Sequence, residues 1–228
     1  LAQLPFAREL RFPSHTAQEM DMLQMEKQLR GQAAQAQRHF QQLAAGRNLS
    51  HSFTVVRGVV ATSLLKATLD SDLLVLGYVS YSLVRAGRLG STAQTAVTQA
   101  KRSVLLVHPH ADLSRPPLLI YDGSPAAERV LALAGSLVQR NGRVYILLYL
   151  PDDPAAQEAI GVLQERLAAR GIEAIYRRLY GVQPPDLIDF INESENSLVI
   201  LSAHDKHFPS AVVRQLAEGL TCPVLVVR

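Results

Sequence analysis

Apolar positions along this chain follow two rhythms. Between residues 22 and 43, Met22, Met25, Leu29, Ala33, Ala36, Phe40 and Leu43 recur at helical spacing with Gln, Glu, Lys and Arg between them, and Gly46 follows as a stop. This spacing predicts one long amphipathic helix whose apolar stripe faces a core. Residues 1–14 ahead of it contain Pro5 and Pro13 and read as an extended arm. Further on, the rhythm changes to short unbroken apolar runs, the mark of strands buried on both faces. Leu73-Leu74-Val75-Leu76 and Ser103-Val104-Leu105-Leu106-Val107 are two such runs, with a helical stretch ending near Lys101 between them. Residues 52–57 carry the β-branched content of a strand, and residues 58–69 read as a short helix.

After a proline-containing linker at residues 108–117, the alternation becomes regular. Strands are predicted at residues 118–121, 144–150, 172–179, 198–201 and 223–227, and helices at 126–140, 154–170, 185–192 and 209–220. Regular alternation of this kind implies parallel sheet covered by helices on both faces. The pattern also repeats within the chain. Residues 53–76 parallel residues 174–201, and residues 103–107 parallel residues 222–227. Two α/β domains in tandem are therefore expected, at residues 1–110 and 117–228. The first lacks the opening strand, helix and second strand that the second one has. Leu1 stands where a translated chain has Met, so a fragment or processed product is expected, with the missing piece upstream.

Composition narrows the class. In 228 residues, 48% are hydrophobic and only 6% aromatic, the Leu/Val/Ala-rich balance of an α/β protein. A net charge of +3 without any Lys/Arg block gives no nucleic-acid footprint, so none is expected as a partner. The single cysteine excludes an internal disulfide and fits a reducing, cytoplasmic setting. No apolar run approaches the roughly 18 to 20 residues that span a bilayer.

The candidate chemistry lies between the first two apolar runs. Gly77 leaves the strand, and Gly90 precedes Ser91 and Thr92 at a predicted helix start, with Ser91 the candidate cap. Free N–H groups at such a start attract anions. Gly77, two residues, Ser80, nine residues, Gly90, Ser91 and Thr92 together resemble the glycine loop of the universal stress protein family, with Ser80 in place of the middle glycine. The resemblance implies two open, Rossmann-like parallel-sheet domains, paired by a pseudo-twofold through their last strands. It implies a nucleotide site made by Gly77, Ser80, Gly90, Ser91 and Thr92, taking ATP or ADP with Mg, in a cytoplasmic stress-response protein that regulates rather than catalyses and forms a homo-oligomer. The alternatives are an interaction module with degenerate sites that binds no nucleotide, and a nucleotide hydrolase of the wider superfamily.

In the resembled family an aspartate at the end of the first strand contacts the adenine or ribose side. Asp122 stands there in the second copy, with Ser124 beside it as a possible second site. An Asp-Gly-Ser-Pro run is also good turn and capping chemistry, and this structural reading outweighs the ligand role. The second copy has Ser202-Ala203-His204 where the first has Gly77-Tyr78-Val79, so each copy carries half of a site. Arg85 and Arg88 lie within the loop and are read as solvated. The pairs His108/His110 and His204/His207 lack further ligands at metal-binding spacing, so no metal site is expected. Cys222 is read as a packed thiol. No Ser-His-Asp order, paired-carboxylate helix or Walker-type lysine is present.

Overall fold

The computed structural model describes residues 22–47, 49–78, 89–109, 111–138, 142–150, 153–203 and 208–228. They fall into two compact units, residues 1–59 and 60–228. The first contains helix α1 (Met22–Ala45), where Glu26 pairs with Arg30 and with Arg57. The Phe40 ring meets His51 edge-on and tilts against Phe53. The stripe predicted to face a core is largely in water, since Leu29, Phe40 and Leu43 are all exposed. The strand expected at residues 52–57 does not form, and Val55 and Val56 are solvent-exposed. β-branched residues favour a strand only where a neighbouring strand completes the ladder. Among the described residues none pairs with this segment.

The second unit is built on a seven-stranded sheet. Its elements in chain order are α2 (Val60–Ala67) with a 3-10 turn (Thr68–Asp70), β1 (Leu73–Gly77), α3 (Ser91–Gln99), β2 (Ser103–Val107), β3 (Leu118–Tyr121), α4 (Pro125–Leu137), β4 (Arg143–Leu148), α5 (Asp153–Ala168), β5 (Glu173–Arg178), α6 (Pro184–Glu193), β6 (Val199–Ser202), α7 (Ser210–Gly219) and β7 (Val224–Val227). The order across the sheet is β1-β2-β7-β6-β3-β4-β5. Every neighbouring pair is parallel except β2 and β7, which run antiparallel with Leu105 opposite Leu225.

The register aligns one side chain from each strand in a row: Val75, Leu105, Leu225, Ile200, Leu119, Ile146 and Tyr176. Alternate residues point to opposite faces, so the sheet separates two cores. Leu225, Ile200, Leu119 and Ile146 pack with Val130 and Leu131 of α4 and Leu163 and Leu167 of α5. On the other face Leu106, Val224, Val199 and Leu118 pack with Val97 of α3, Leu187 and Ile191 of α6 and Leu216 of α7. Burial on both sides explains the unbroken apolar runs of β3, β6 and β7, whereas in β1 Leu73 and Val75 are exposed, against the expectation of a strand buried on both faces.

The two sheet edges differ. β5 carries Glu173, Arg177 and Arg178, and Glu173 pairs with Arg143 of β4. Charged edges of this kind discourage further strand addition. β1 reads Leu-Leu-Val-Leu-Gly, without a charge or a proline.

Candidate functional site

The loop that follows β1 is pinned at its base. The Tyr78 N–H donates to the Val107 carbonyl at 2.9 Å, and the Gly90 N–H donates to the Tyr78 carbonyl at 3.4 Å, so the chain leaves and returns at one place. Tyr78 itself is buried. Its ring stacks on His108 with centroids 4.0 Å apart, and its hydroxyl donates to the Glu218 carbonyl of α7 at 2.6 Å. Burial, with the Glu218 carboxylate second, raises the Tyr78 pKa, so the hydroxyl stays a donor. Ser80, Arg85 and Arg88 lie outside the described residues.

Helix α3 begins at the foot of this loop. Gly90 is its N-cap, at φ −63° and ψ 147°, and the first helical bond runs from the Gln94 N–H to the Gly90 carbonyl at 2.9 Å. The N–H groups of Ser91, Thr92 and Ala93 therefore have no acceptor within the helix, and the positive end of the helix dipole lies among them. This differs from the sequence reading in two respects. Ser91 is the first helical residue rather than the cap, because the backbone turns one residue earlier. The donor trio is likewise shifted one position along, since the Gly90 N–H already serves Tyr78. Glu218 tempers the positive charge here. Its carboxylate accepts from Gln94 Nε2 at 3.0 Å and pairs with Arg214 at 3.3 Å.

The glycines contribute space rather than an unusual backbone. Neither Gly77 nor Gly90 adopts positive φ, and a Cβ built on Gly77 would meet nothing within 4 Å.

Asp122 and Ser124 lie together at the end of β3. One Asp122 oxygen accepts the Ser124 N–H at 3.1 Å, and the Ser124 hydroxyl caps α4 by accepting the Ala127 N–H at 3.0 Å. Gly123 between them has φ +75°, a backbone that favours glycine. The second Asp122 oxygen is buried without a partner, on a residue only 7% exposed. Phe208 is fully buried and packs against Tyr149 with ring centroids 5.4 Å apart. His204 and His207 lie outside the described residues.

The antiparallel β2–β7 joint keeps these two groups apart. β1 and β2 run one way and the other five strands run the opposite way, so Gly77 and Asp122, each at a strand's carboxyl end, sit at opposite ends of the sheet. Gly77 and Asp122 therefore do not come together within this sheet.

Sequence reasoning missed a cavity of about 320 Å³ at the carboxyl end of β2, lined in part by His108, Asp112, Arg115, Asn192, Asn196 and Cys222. His108 Nε2 and Asn196 Oδ1 are both buried there without partners, and burial lowers the His108 pKa so that the ring stays neutral. Cys222 has its pKa pushed up to about 11 by burial, which makes it a packed thiol rather than a nucleophile. The residues come from three separate turns, so no local spacing announces them. Among the described residues no group of three or more His, Cys, Asp or Glu could hold a metal ion, and no helix is long and apolar enough to cross a membrane.

With this geometry in place, comparison with known proteins gives a consistent answer. Residues 8–108 match the universal stress protein family. A universal stress protein of Mycolicibacterium smegmatis is 28% identical over 209 residues, covering 78% of this chain and 70% of that protein. Both matches support the family. Among solved structures, a universal stress protein from Archaeoglobus fulgidus aligns with a TM-score of 0.72 at 17% identity, covering 93% of this chain and 82% of its own. A putative universal stress protein from Pseudomonas aeruginosa aligns with a TM-score of 0.57 at 11% identity, covering 85% of this chain and 77% of its own. At these identities the structural likeness establishes the α/β fold alone.

Proposed function

We propose that the chain is a universal-stress-type regulatory protein of two tandem copies, residues 1–110 and 117–228, acting in the cytoplasm. It binds an adenine nucleotide, ATP or ADP, at the 77–92 loop of the first copy. The observation that carries this reading is the start of α3, where the N–H groups of Ser91, Thr92 and Ala93 lie free of helical acceptors at a loop base whose two ends are hydrogen-bonded together. Phosphate oxygens accept from such groups and are favoured by the helix dipole. The exposed Ser91 hydroxyl is one further donor, and among the described residues nothing lies within 4 Å of a Cβ built on Gly77. Magnesium accompanies the nucleotide on its own phosphate oxygens. Among the described residues here, the backbone N–H groups and the Ser91 hydroxyl offer hydrogen bonds to phosphate, and binding with regulation is therefore the reading put first.

Calorimetric titration with Mg-ATP tests the reading. Weak saturable binding is expected in the chain as it stands, and Gly90→Val is expected to abolish it. The backbone angles of Gly90 suit valine, but Gly90 is buried, so circular dichroism accompanies the titration and Gly90→Ala, the smaller change, is titrated beside it. Asp122→Ala is expected to leave the affinity unchanged, because that residue lies at the far end of the sheet. Absence of saturable heat up to about 1 mM nucleotide, on the order of 4 kcal/mol, refutes the nucleotide site and favours an interaction module. Release of inorganic phosphate would instead favour a hydrolase.

A further inference from the structure

The cavity of about 320 Å³ beside His108 lies where the two strand sets meet, with the carboxyl end of β2 next to the amino ends of β7 and β6. Two residues of its lining carry buried polar atoms with nothing to bond. Asn196 is only 9% exposed, and its Nδ2 donates to the Ile191 carbonyl at 2.9 Å and to the Ser194 carbonyl at 3.2 Å. Those two bonds fix which way the amide faces, so Oδ1 cannot trade places with Nδ2 and is left an acceptor without a donor. His108, stacked on Tyr78, likewise has Nε2 without a partner. Buried polar atoms are costly when unsatisfied, and a molecule seated in the cavity is what can satisfy these.

The charges around the cavity say what kind of molecule. Helix α6 ends at Ser194 and helix α7 at Leu220, and the turns after both line the cavity, so the negative ends of two helix dipoles adjoin it. Asn192 ties these turns together, donating to the Gly219 carbonyl at 2.9 Å and accepting the Thr221 N–H at 2.9 Å. The Asp112 carboxylate adds a full negative charge, and hydrogen bonds from Ser114 hold it below the usual carboxylate range. With Asn196 Oδ1 these features favour an ammonium group and disfavour phosphate, which sets this place apart from the start of α3. Among the described residues no three ligands gather for a metal ion. Arg115 also lines the cavity, and no carboxylate lies within ion-pair distance of it among the described residues. It is near enough for its charge to be felt at Asp112, three residues earlier on the same segment. We propose that the cavity binds a free α-amino acid, its ammonium group against Asp112, Asn196 and the two helix ends and its carboxylate on Arg115. A carboxamide side chain serves best, because it offers both donor and acceptor and so meets His108 Nε2 in either tautomer. The volume lies at the small end of the about 300–1,000 Å³ usual for small-molecule sites, as a ligand of this size requires.

Calorimetric titration of the chain with each standard L-amino acid in turn tests this, and L-glutamine is expected to bind tightest. Two analogues keep one charge each, glutaramate without the ammonium group and 4-aminobutanamide without the carboxylate, and both are expected to bind at least about tenfold more weakly. Asp112 and Arg115 are exposed, so Asp112→Asn and Arg115→Gln should keep the fold by circular dichroism. Each is expected to weaken L-glutamine binding by at least about tenfold. Absence of saturable heat from every amino acid up to about 10 mM overturns the proposal. So does affinity that stays within about twofold in either variant, or a one-charge analogue that binds as tightly as L-glutamine. The site does not rest on the nucleotide reading, and Mg-ATP is titrated separately. Binding of L-glutamine without nucleotide binding supports this site while the nucleotide site fails.

Discussion

Truncating Val75 and Ile200 to alanine in parallel measures how differently the two ends of one side-chain row are built. Ile200 is fully buried between Leu225 and Leu119 under α4, so its truncation loses transfer free energy and opens a cavity that fixed neighbours cannot fill. Such changes cost about 2–5 kcal/mol, and a central strand favours the upper half, about 3–4 kcal/mol. Complete burial of a valine is worth about 1.5–3 kcal/mol, but Val75 is 54% exposed and keeps its β-carbon as alanine. Its truncation should cost about 0.5–1 kcal/mol, including the lost strand preference. With a urea slope of about 2 kcal/mol/M, the unfolding midpoint falls by about 1.5–2 M for Ile200→Ala and by less than about 0.5 M for Val75→Ala. The chain has no tryptophan, so circular dichroism at 222 nm follows the transition. Equal midpoint shifts would refute the reasoning, because Val75 would then be as deeply covered as its counterpart.

Two helical glycines should respond oppositely to alanine in the same assay. A Cβ on Gly135 meets the mobile end of Arg170 at 2.6 Å, which can swing away, so Gly135→Ala should stabilise by about 0.5–1 kcal/mol through helix propensity. A Cβ on Gly219 meets the branched body of Ile188 at 2.7 and 2.9 Å, and Gly219→Ala should cost about 1–3 kcal/mol through overpacking. Tyr78→Phe deprives the Glu218 carbonyl of its donor and should cost about 1–3 kcal/mol by urea denaturation, loosening the tie between the loop base and α7. Burial depresses the His108 pKa, so the unfolded chain takes up this proton first as pH falls below 6.5. That contribution is present above 6.5 and lost toward acid, and thermal melts from pH 8 to 5 should fall less steeply in His108→Phe. At the alkaline end Tyr121 is pushed up to about 12 by burial and by the Glu128 carboxylate. Stability is therefore expected to fall as pH rises from 10 toward 12, read by melts alongside tyrosinate absorbance.

The second half of the fold was legible because its signals are local and agree with one another. Short apolar runs bounded by turns gave β3 to β7 within one or two residues, and Ser124-Pro125 gave the start of α4. The segment at residues 52–57 misled because strand preference is only a preference until a partner strand exists. The α1 stripe misled in the same way, since periodicity shows that a face is apolar without showing what lies against it. At the candidate site, Gly77 ends β1 and Gly90 precedes the α3 helix, as their spacing predicts, while the capping position is not legible from spacing. Whether the cap is Gly90 or Ser91 depends on where the backbone turns, and the Gly90 hydrogen bond to Tyr78 sets that. The cavity beside His108 was invisible because its wall is assembled from three turns, near residues 108–115, 191–197 and 221–223, that are far apart in sequence.

The antiparallel joint of β2 and β7 accounts for both the strength and the vulnerability of this architecture. Each of these strands, with Val104, Leu106, Val224 and Val226 fully buried, would be an apolar edge if left alone, and pairing them removes two edges at once. The same reversal sends the carboxyl ends of the two strand sets to opposite ends of the sheet. The N–H donors of α3 and the carboxylate of Asp122 consequently cannot converge, however the loops move.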